Sequence, residues 1–449
     1  MPSRSDIHYF GAGPAPLPTP VLEAASSALL NYKDQGIGIC EISHRSADAN
    51  AVLADAKAAL TTLLDVPPTH EILFLQGGGS GEFSAAVYNL VAVWVEKRRR
   101  RAQEDLLVAL ADGKEAGSKA DLDAKILARL QGEVASELRL DYLVTGSWSL
   151  KASQEAARLV GADKVNVAVD ARKSNNGKFG AIPPESEWEL TPRRREGGTG
   201  SALVYYCDNE TVDGVEFPSF PASLEKLPED AIDDEAPIVV ADMSSNFISR
   251  RVDVSKYAVI FGGAQKNVGN AGITIVIVRK DLLPPAITPA SADLLRQLGL
   301  PVGPIVFDWP TIAKNNSLYN TLPIFDVWIA GQVMSHLVNA YGPRKIEGQE
   351  EVSALKARLI YEVLDAAPQV YTVVPKQNVR SRMNICFRVA GGDAEKEKAF
   401  LAGAEKRGLT GLKGHRSVGG IRASNYNAVT VEGVQKLAQY LKDFASGSA

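Results

Sequence analysis

Six short apolar runs, at 142–145, 165–169, 202–207, 238–241, 258–261 and 273–278, recur through the middle of the chain with helical segments between them. Runs of this length suit strands, and strands joined by helices lie mostly parallel in a sheet covered on both faces. The expected fold is therefore α/β, built on a large, mostly parallel sheet. A further run at 71–75 lies between Pro67-Pro68 and the glycines 77–79, and reads as a buried strand ending in a glycine-rich turn.

The flanking segments extend this plan. Prolines at 14, 16, 18 and 20 keep the entry extended or turning, and Thr19 is placed to cap a helix over about 20–32. Val52, Leu53, Leu60, Leu63 and Leu64 predict a helix over 47–64, and Phe83, Val87, Leu90, Val91 and Trp94 predict another after the glycine turn. The stretch at about 96–140 is different: it opens on the basic run 97–101, continues with alternating acids and bases, and holds little strand-forming sequence. It reads as a charged helical insertion whose basic run is a solvated helix end. Helices over 325–338 and 352–366, then the strand-like VYTVV and MNICFRV and two more helices, predict a smaller α+β domain. The division expected is a large domain over 17–330 that carries the insertion, and a small domain formed by 1–16 with 331–449.

Composition excludes several function classes. With 49 basic against 53 acidic side chains over 449 residues, the net charge of -4 offers no global attraction for nucleic acid or an anionic membrane. Three cysteines, none in a CxxC spacing, make neither a disulfide framework nor a thiolate zinc site, so no metal is expected. The most apolar run is far shorter than the roughly 20 residues of a membrane helix, and the N-terminal segment lacks a signal peptide's apolar stretch. A cytoplasmic protein is expected.

The chemistry concentrates in VVADMSSNFISRRVDVSKYAVIFGGAQKNVGNAGITIVIV, which puts Asp242 at the end of one expected strand and Lys266 in a glycine-flanked loop between two others. Strand ends of an α/β sheet are where such folds form their crevices. A lysine there, partly desolvated, can lose its proton and form a Schiff base; its small neighbours would admit a planar cofactor, and Asp242 could pair with a pyridine nitrogen. QGGGSGEF follows a strand and opens a helix, so its backbone N–H groups could hold a phosphate at the positive helix end. Trp148 in TGSWS could stack on a flat ring. ISHRS supplies His44 and Arg45, and LKGHRSVGGIR supplies His415, Arg416 and Arg422. Arginine forks with adjacent histidines suit a substrate bearing several negative charges.

Together these segments resemble the phosphoserine aminotransferases, a family of class V, fold-type I pyridoxal-phosphate enzymes. The likeness runs from FGAGPAPLP through ISHRS, LQGGG, TGSWS, NETVDGVE, AQKN, NNSLYNT and SRMN to GLKGHRSVGGIRAS, nearly the whole chain apart from the insertion. The resemblance implies that Lys266 forms an aldimine with pyridoxal 5'-phosphate, that Asp242 pairs with the ring nitrogen and that Trp148 stacks on the ring. It implies that Thr211 bonds the phenolic oxygen, and that Gly79, Ser80 and Gln265 contact the phosphate together with Asn320 and Thr321 of a second subunit. Arg422 would clamp the α-carboxylate. His415 and Arg416, with His44 and Arg45 from the partner subunit, would receive a phosphate or a side-chain carboxylate. The implied enzyme is a homodimer with shared sites. Its implied reaction is a ping-pong transamination between L-glutamate and 3-phosphohydroxypyruvate, giving 2-oxoglutarate and O-phospho-L-serine in serine biosynthesis.

The chain departs from the family pattern at Ser80, where many members carry arginine, and at Ala12, where some carry serine. Within the same fold, an alanine-glyoxylate aminotransferase or a cysteine desulfurase is the nearest alternative. A desulfurase needs a mobile cysteine, whereas Cys207 and Cys386 fall in expected strands and Cys40 lies just ahead of ISHRS, so none has a clear mobile loop of its own. A silent, ligand-binding dimer would have no chemical use for Lys266, Asp242 and Trp148 together.

Overall fold

A computed structural model describes residues 3–113, 117–192, 200–225 and 237–448. The part of the expected insertion at 114–116 lies outside the described residues. The strands are β1 (His8–Tyr9), β2 (His70–Leu75), β3 (Leu140–Val144), β4 (Val165–Asp170), β5 (Leu203–Cys207), β6 (Asn209–Glu210), β7 (Val215–Glu216), β8 (Val239–Asp242), β9 (Val259–Gly263), β10 (Thr274–Arg279), β11 (Tyr371–Val373), β12 (Asn384–Val389), β13 (Leu409–Thr410) and β14 (Ile421–Ser424). The helices are α1 (Thr19–Ala28), α2 (Ala47–Leu64), α3 (Gly78–Ala111), α4 (Lys119–Ser136), α5 (Ser147–Val160), α6 (Ala292–Gln297), α7 (Trp309–Lys314), α8 (Ile324–Tyr341), α9 (Lys345–Ala366), α10 (Ala394–Lys406) and α11 (Val431–Ser446).

Seven strands form the main sheet in the order β2-β10-β9-β8-β5-β3-β4. Only β10 runs against its neighbours, pairing antiparallel with both β2 and β9. The cause is local: a short loop joins β9 to β10, and a parallel return needs a crossover of a dozen residues or more. Because β2 and β9 both oppose β10, the ends of β2, β9, β8, β5 and β3 come to one edge of the sheet. Alternation along β10 shows how both faces are buried, with Ile275 and Ile277 entering the core under α2 and α8, and Val276 and Val278 the core under α3 and α5.

A second, three-stranded antiparallel sheet, β11-β12-β14, packs with α9, α10 and α11 around Phe387, Phe400, Ile360 and Leu437. The N-terminal strand β1 pairs with β13, and Phe10 enters this same core. No helix among the described residues is long and apolar enough to cross a membrane.

Three local expectations are corrected. Thr19 does not cap α1 from outside: the helix starts at Thr19, with Pro18 before it and Pro20 inside the first turn, and the Thr19 hydroxyl accepts from Arg4 Nε at 3.0 Å. α1 ends at Ala28 rather than near residue 32: Ile39 N donates to Ala28 O at 2.9 Å, and Asn31 has left the helical region with φ of -150°. The basic run 97–101 is not a solvated helix end but the middle of the 34-residue α3. Arg98 is buried, stacked 4.8 Å from the Trp94 ring centroid and 2.8 Å from Glu137, the residue that ends α4, while Arg99 and Arg100 both pair with Glu96. Packing of α4 along α3 converts the charges into ties within and between the helices.

Candidate active site

The edge where the strands end opens into a cavity of about 370 Å³. Lys266 enters it from the loop after β9, which is held tight by Gly269 N donating to Ala264 O at 2.7 Å and Ala264 N to Ile273 O at 3.1 Å. The N-terminal segment crosses directly over this loop, with Ala15 N donating to Gln265 O at 2.9 Å. Gly13 makes the crossing possible: it has a φ of 116°, and a Cβ there would sit 3.3 Å from Lys266 Cγ. Lys266 Nζ donates to Thr211 Oγ1 at 2.6 Å. Burial lowers its pKa, with Asp242 opposing that effect and Arg422 adding to it.

Asp242, the last residue of β8, is buried, and its carboxylate accepts from Ser244 N at 2.8 Å. Burial raises its pKa, and the Ser244 donors and the Lys266 charge act in the ionising direction. The glycine turn after β2 forms the opposite wall. Gly77 and Gly78, at φ of 110° and 63°, swing the chain into α3, whose first-turn N–H groups have no acceptors inside the helix. A Cβ at Gly79 would occupy this cradle, 3.5 Å from Asp242 Oδ2 and Ser244 Oγ. Trp148, in the first turn of α5, lies on the cavity wall, and its indole Nε1 is buried without a partner among the described residues. Arg422 on β14 reaches in from the smaller sheet and donates from Nη1 to Thr211 O at 3.1 Å.

Of the residues singled out from the sequence, Gly79, Ser80, Trp148, Thr211, Asp242, Gln265, Lys266, His415 and Arg422 line this one cavity. Burial lowers the His415 pKa, and Arg422, Lys151 and Arg416 push it the same way. Arg416 itself is exposed and lies off the cavity wall. His44, Arg45, Asn320 and Thr321 lie outside it in this chain. Arg45 Nη2 donates to Leu318 O at 3.4 Å, and Asn320 Nδ2 donates to Gln76 Oε1 at 2.8 Å, next to the glycine turn. Sequence reading missed Glu210 and Asp213, which grip the start of α5, and Lys151, whose ammonium lies 4.2 Å from the Trp148 ring centroid. It also missed Glu82, buried in α3 with no hydrogen-bond partner among the described residues and pushed up to about 8 by burial. The two acids flanking Thr211 in NETVDG were the available signal.

The arrangement fits pyridoxal phosphate by its donor set: an amine with a lowered pKa in a pocket, a buried carboxylate at a strand end, an aromatic wall with an unused N–H, and a helix start cleared of side chains by glycine. Cys207 and Cys386 are both buried with pKa values raised by that burial, Cys386 to about 12, so neither is a mobile thiolate nucleophile.

The chain as a whole is similar to known proteins. The family model described as aminotransferase class-V matches residues 7–101 and 160–437. A phosphoserine aminotransferase of Saccharomyces cerevisiae is 43% identical over 447 residues, covering 99% of each chain. Among solved structures, the phosphoserine aminotransferase from Bacillus circulans subsp. alkalophilus superposes with a TM-score of 0.76 at 32% identity over 99% of each chain. A phosphoserine aminotransferase with bound pyridoxal phosphate from Trichomonas vaginalis gives a TM-score of 0.74 at 31% identity, covering 97% of this chain and 99% of its own. This chain thus belongs to the class-V aminotransferases and, within them, to the phosphoserine aminotransferase family.

Proposed function

We infer that this chain transfers the amino group of L-glutamate to 3-phosphohydroxypyruvate, releasing 2-oxoglutarate and O-phospho-L-serine in two half-reactions that share one pocket. Bound pyridoxal phosphate supplies a carbonyl that carries the amino group and a protonated ring that withdraws electrons from the reacting carbon. Gly79 and Ser80 offer backbone N–H groups to its phosphate, Gln265 adds a side-chain contact, and Trp148 covers the ring. Asp242 keeps a proton at the ring nitrogen, and Thr211 donates to the phenolic oxygen.

Lys266 Nζ moves the proton at the substrate Cα. Its burial lowers the cost of the neutral amine, and the Thr211 hydroxyl 2.6 Å away holds it in place. Arg422 is fixed by the Thr211 carbonyl and turns the rest of its fork to the substrate α-carboxylate. His415 and Arg416 receive the second anionic group, phosphate in one half-reaction and the glutamate side-chain carboxylate in the other. Two copies of the chain complete each other's sites: His44 and Arg45 reach the partner's substrate and Asn320 and Thr321 the partner's phosphate. We place the enzyme in the cytoplasm, in keeping with its three free cysteines.

The observation that carries the reading is the Lys266–Thr211–Arg422 chain of contacts facing Asp242 across one cavity. The test is the visible absorbance of the cofactor-loaded protein, which is expected to change on adding L-glutamate and, in a separate sample, on adding O-phospho-L-serine. A response to glutamate alone would overturn the phosphorylated substrate while leaving the aminotransferase intact.

A further inference from the structure

The turn between β6 and β7 contributes only Thr211 to ligand binding in the mechanism above, yet it contacts the start of α5, Lys266 and Arg422. Glu210 and Asp213 are buried, and their carboxylates take the first three backbone N–H groups of α5. Asp213 Oδ2 accepts from Ser147 N at 2.7 Å, Glu210 Oε2 from Trp148 N at 2.9 Å, and Glu210 Oε1 from Ser149 N at 2.9 Å and Ser149 Oγ at 2.6 Å. A helix start left to itself has no acceptor for these groups, so acids from another element set where it sits. The fit is close: a Cβ at Gly146 would run into the Glu210 carboxylate. Between the two acids, the Thr211 hydroxyl meets Lys266 and its carbonyl meets Arg422. The turn is in turn anchored, with Gly214 N donating to Glu210 O at 2.9 Å and Ser381 N to Gly214 O at 2.9 Å.

We propose that the 210–213 turn is the positioning element of the site, with Glu210 holding Trp148 through the backbone of α5 while Thr211 sets Lys266 and Arg422, so that aromatic wall, amine and arginine fork keep one relative geometry. Glu210 and Asp213 act through these residues and touch neither substrate nor cofactor. The inference rests on the roles given above to Trp148, Thr211, Lys266 and Arg422.

The test compares Glu210→Gln with Asp141→Asn in the cofactor-loaded protein. The glutamine side chain keeps the size of glutamate but turns an N–H donor toward donors, so a bond to Trp148 or Ser149 is lost. Asp141 is a control of equal hydrogen-bonding weight away from the cavity: it is buried and accepts from Asn166 Nδ2 at 2.8 Å, Thr191 N at 3.0 Å and Thr191 Oγ1 at 2.6 Å. Glu210→Gln is expected to release pyridoxal phosphate about tenfold faster, weaken the visible circular dichroism of the bound cofactor and lower kcat about tenfold with little change in KM, the equivalent of one hydrogen bond to a charged group. Asp141→Asn is expected to lower the thermal midpoint without these changes. A wild-type release rate and dichroism in Glu210→Gln, or the same changes in Asp141→Asn, would overturn the proposal.

Ser147→Pro gives an independent arm, because it deletes the N–H that Asp213 holds at a first helical position where proline is well tolerated. Faster cofactor release supports the proposal, and unchanged release overturns it. Trp148→Ala and Thr211→Val separate the two levels of the argument. If both release cofactor faster while Glu210→Gln does not, the positioning role fails alone; if neither does, the roles of Trp148 and Thr211 fail first.

Discussion

Two lysines among the described residues have pKa values lowered by their surroundings, fully buried Lys356 and partly open Lys266, and they illustrate how much burial alone explains. Lys356 on α9 is fully enclosed, its Nζ donating to Tyr426 O at 2.8 Å and Val429 O at 2.7 Å, with Asn427 O at 3.4 Å. Lys266 is enclosed by protein on the sheet side but opens onto the cavity, with one hydroxyl as its hydrogen-bond partner and a carboxylate nearby. Burial depresses both pKa values, that of Lys356 to about 7. The difference lies in what the amine faces. Lys356 spends its protons on backbone carbonyls and ties α9 to the 426–429 turn, whereas Lys266 has room beside it for a reacting carbon. A depressed pKa marks a reactive lysine only where there is space for a substrate.

Replacing Lys266 with alanine is the most severe test of that contrast. On the role proposed for Lys266, its loss is expected to lower kcat by at least about a thousandfold, with the thermal midpoint nearly unchanged. Transamination of L-glutamate measured beside thermal unfolding checks both halves; activity within tenfold of wild type would break the comparison. Lys356→Met should do the reverse. Leaving buried carbonyls without a donor is expected to cost about 2–3 kcal/mol in denaturant unfolding, while the visible spectrum of bound cofactor stays as in wild type.

The same pair gives a pH signature with a definite sign. Burial pushes the pKa of Lys356 down to about 7 in the folded protein, well below the ordinary lysine value of about 10.4, so between those values the unfolded chain binds more protons than the native one. The cost of burying the ammonium is present in full below the folded pKa and fades as the pH rises through this window, so this residue makes stability increase with pH. Subtracting the pH-dependent stability of Lys356→Met from that of wild type should isolate the slope, and a difference that falls with pH would contradict it.

Smaller effects sharpen the outline of the site. Arg422→Lys keeps the charge but loses the planar fork, and KM for both amino donors is expected to rise about tenfold, with a smaller change in kcat. A change confined to one donor would show that Arg422 does not hold the group the two share. On α3, Arg98→Met removes the buried partner of Glu137 and is expected to cost about 1 kcal/mol in thermal unfolding. Transamination should be unaffected; a loss there would tie the α3–α4 pair to catalysis.

Legibility followed the range of the interactions involved. Lys266, Asp242 and the 77–79 glycines stood out because each sits in a short motif whose chemistry depends on its immediate neighbours, and the strand runs were placed to within a few residues by their apolar composition. Glu210 and Asp213 were passed over although they flank Thr211, since their role depends on α5, some sixty residues earlier in the chain. Arg98 reads with its basic neighbours as a solvated end because a run of like charges says nothing about a second helix packing over it. Lys356, in a helix of mixed charge, gave no sign that three carbonyls would enclose it.

Local chemistry and apolar patterning were thus enough to determine the α/β architecture, the lysine and carboxylate at adjoining strand ends, the glycine-opened helix and the anionic character of the substrate. Those features are written in contiguous residues, because strand length, helix starts and phosphate cradles are set by a few neighbours along the chain. Only the tertiary structure decided which charges are buried and what they face: Glu210 beneath Trp148, Arg422 against Thr211, Arg98 between two helices, and Lys356 under a turn. The energy of a buried charge depends on the dipoles and counter-charges within a few ångströms of it, and in a folded chain those come from residues far away in sequence.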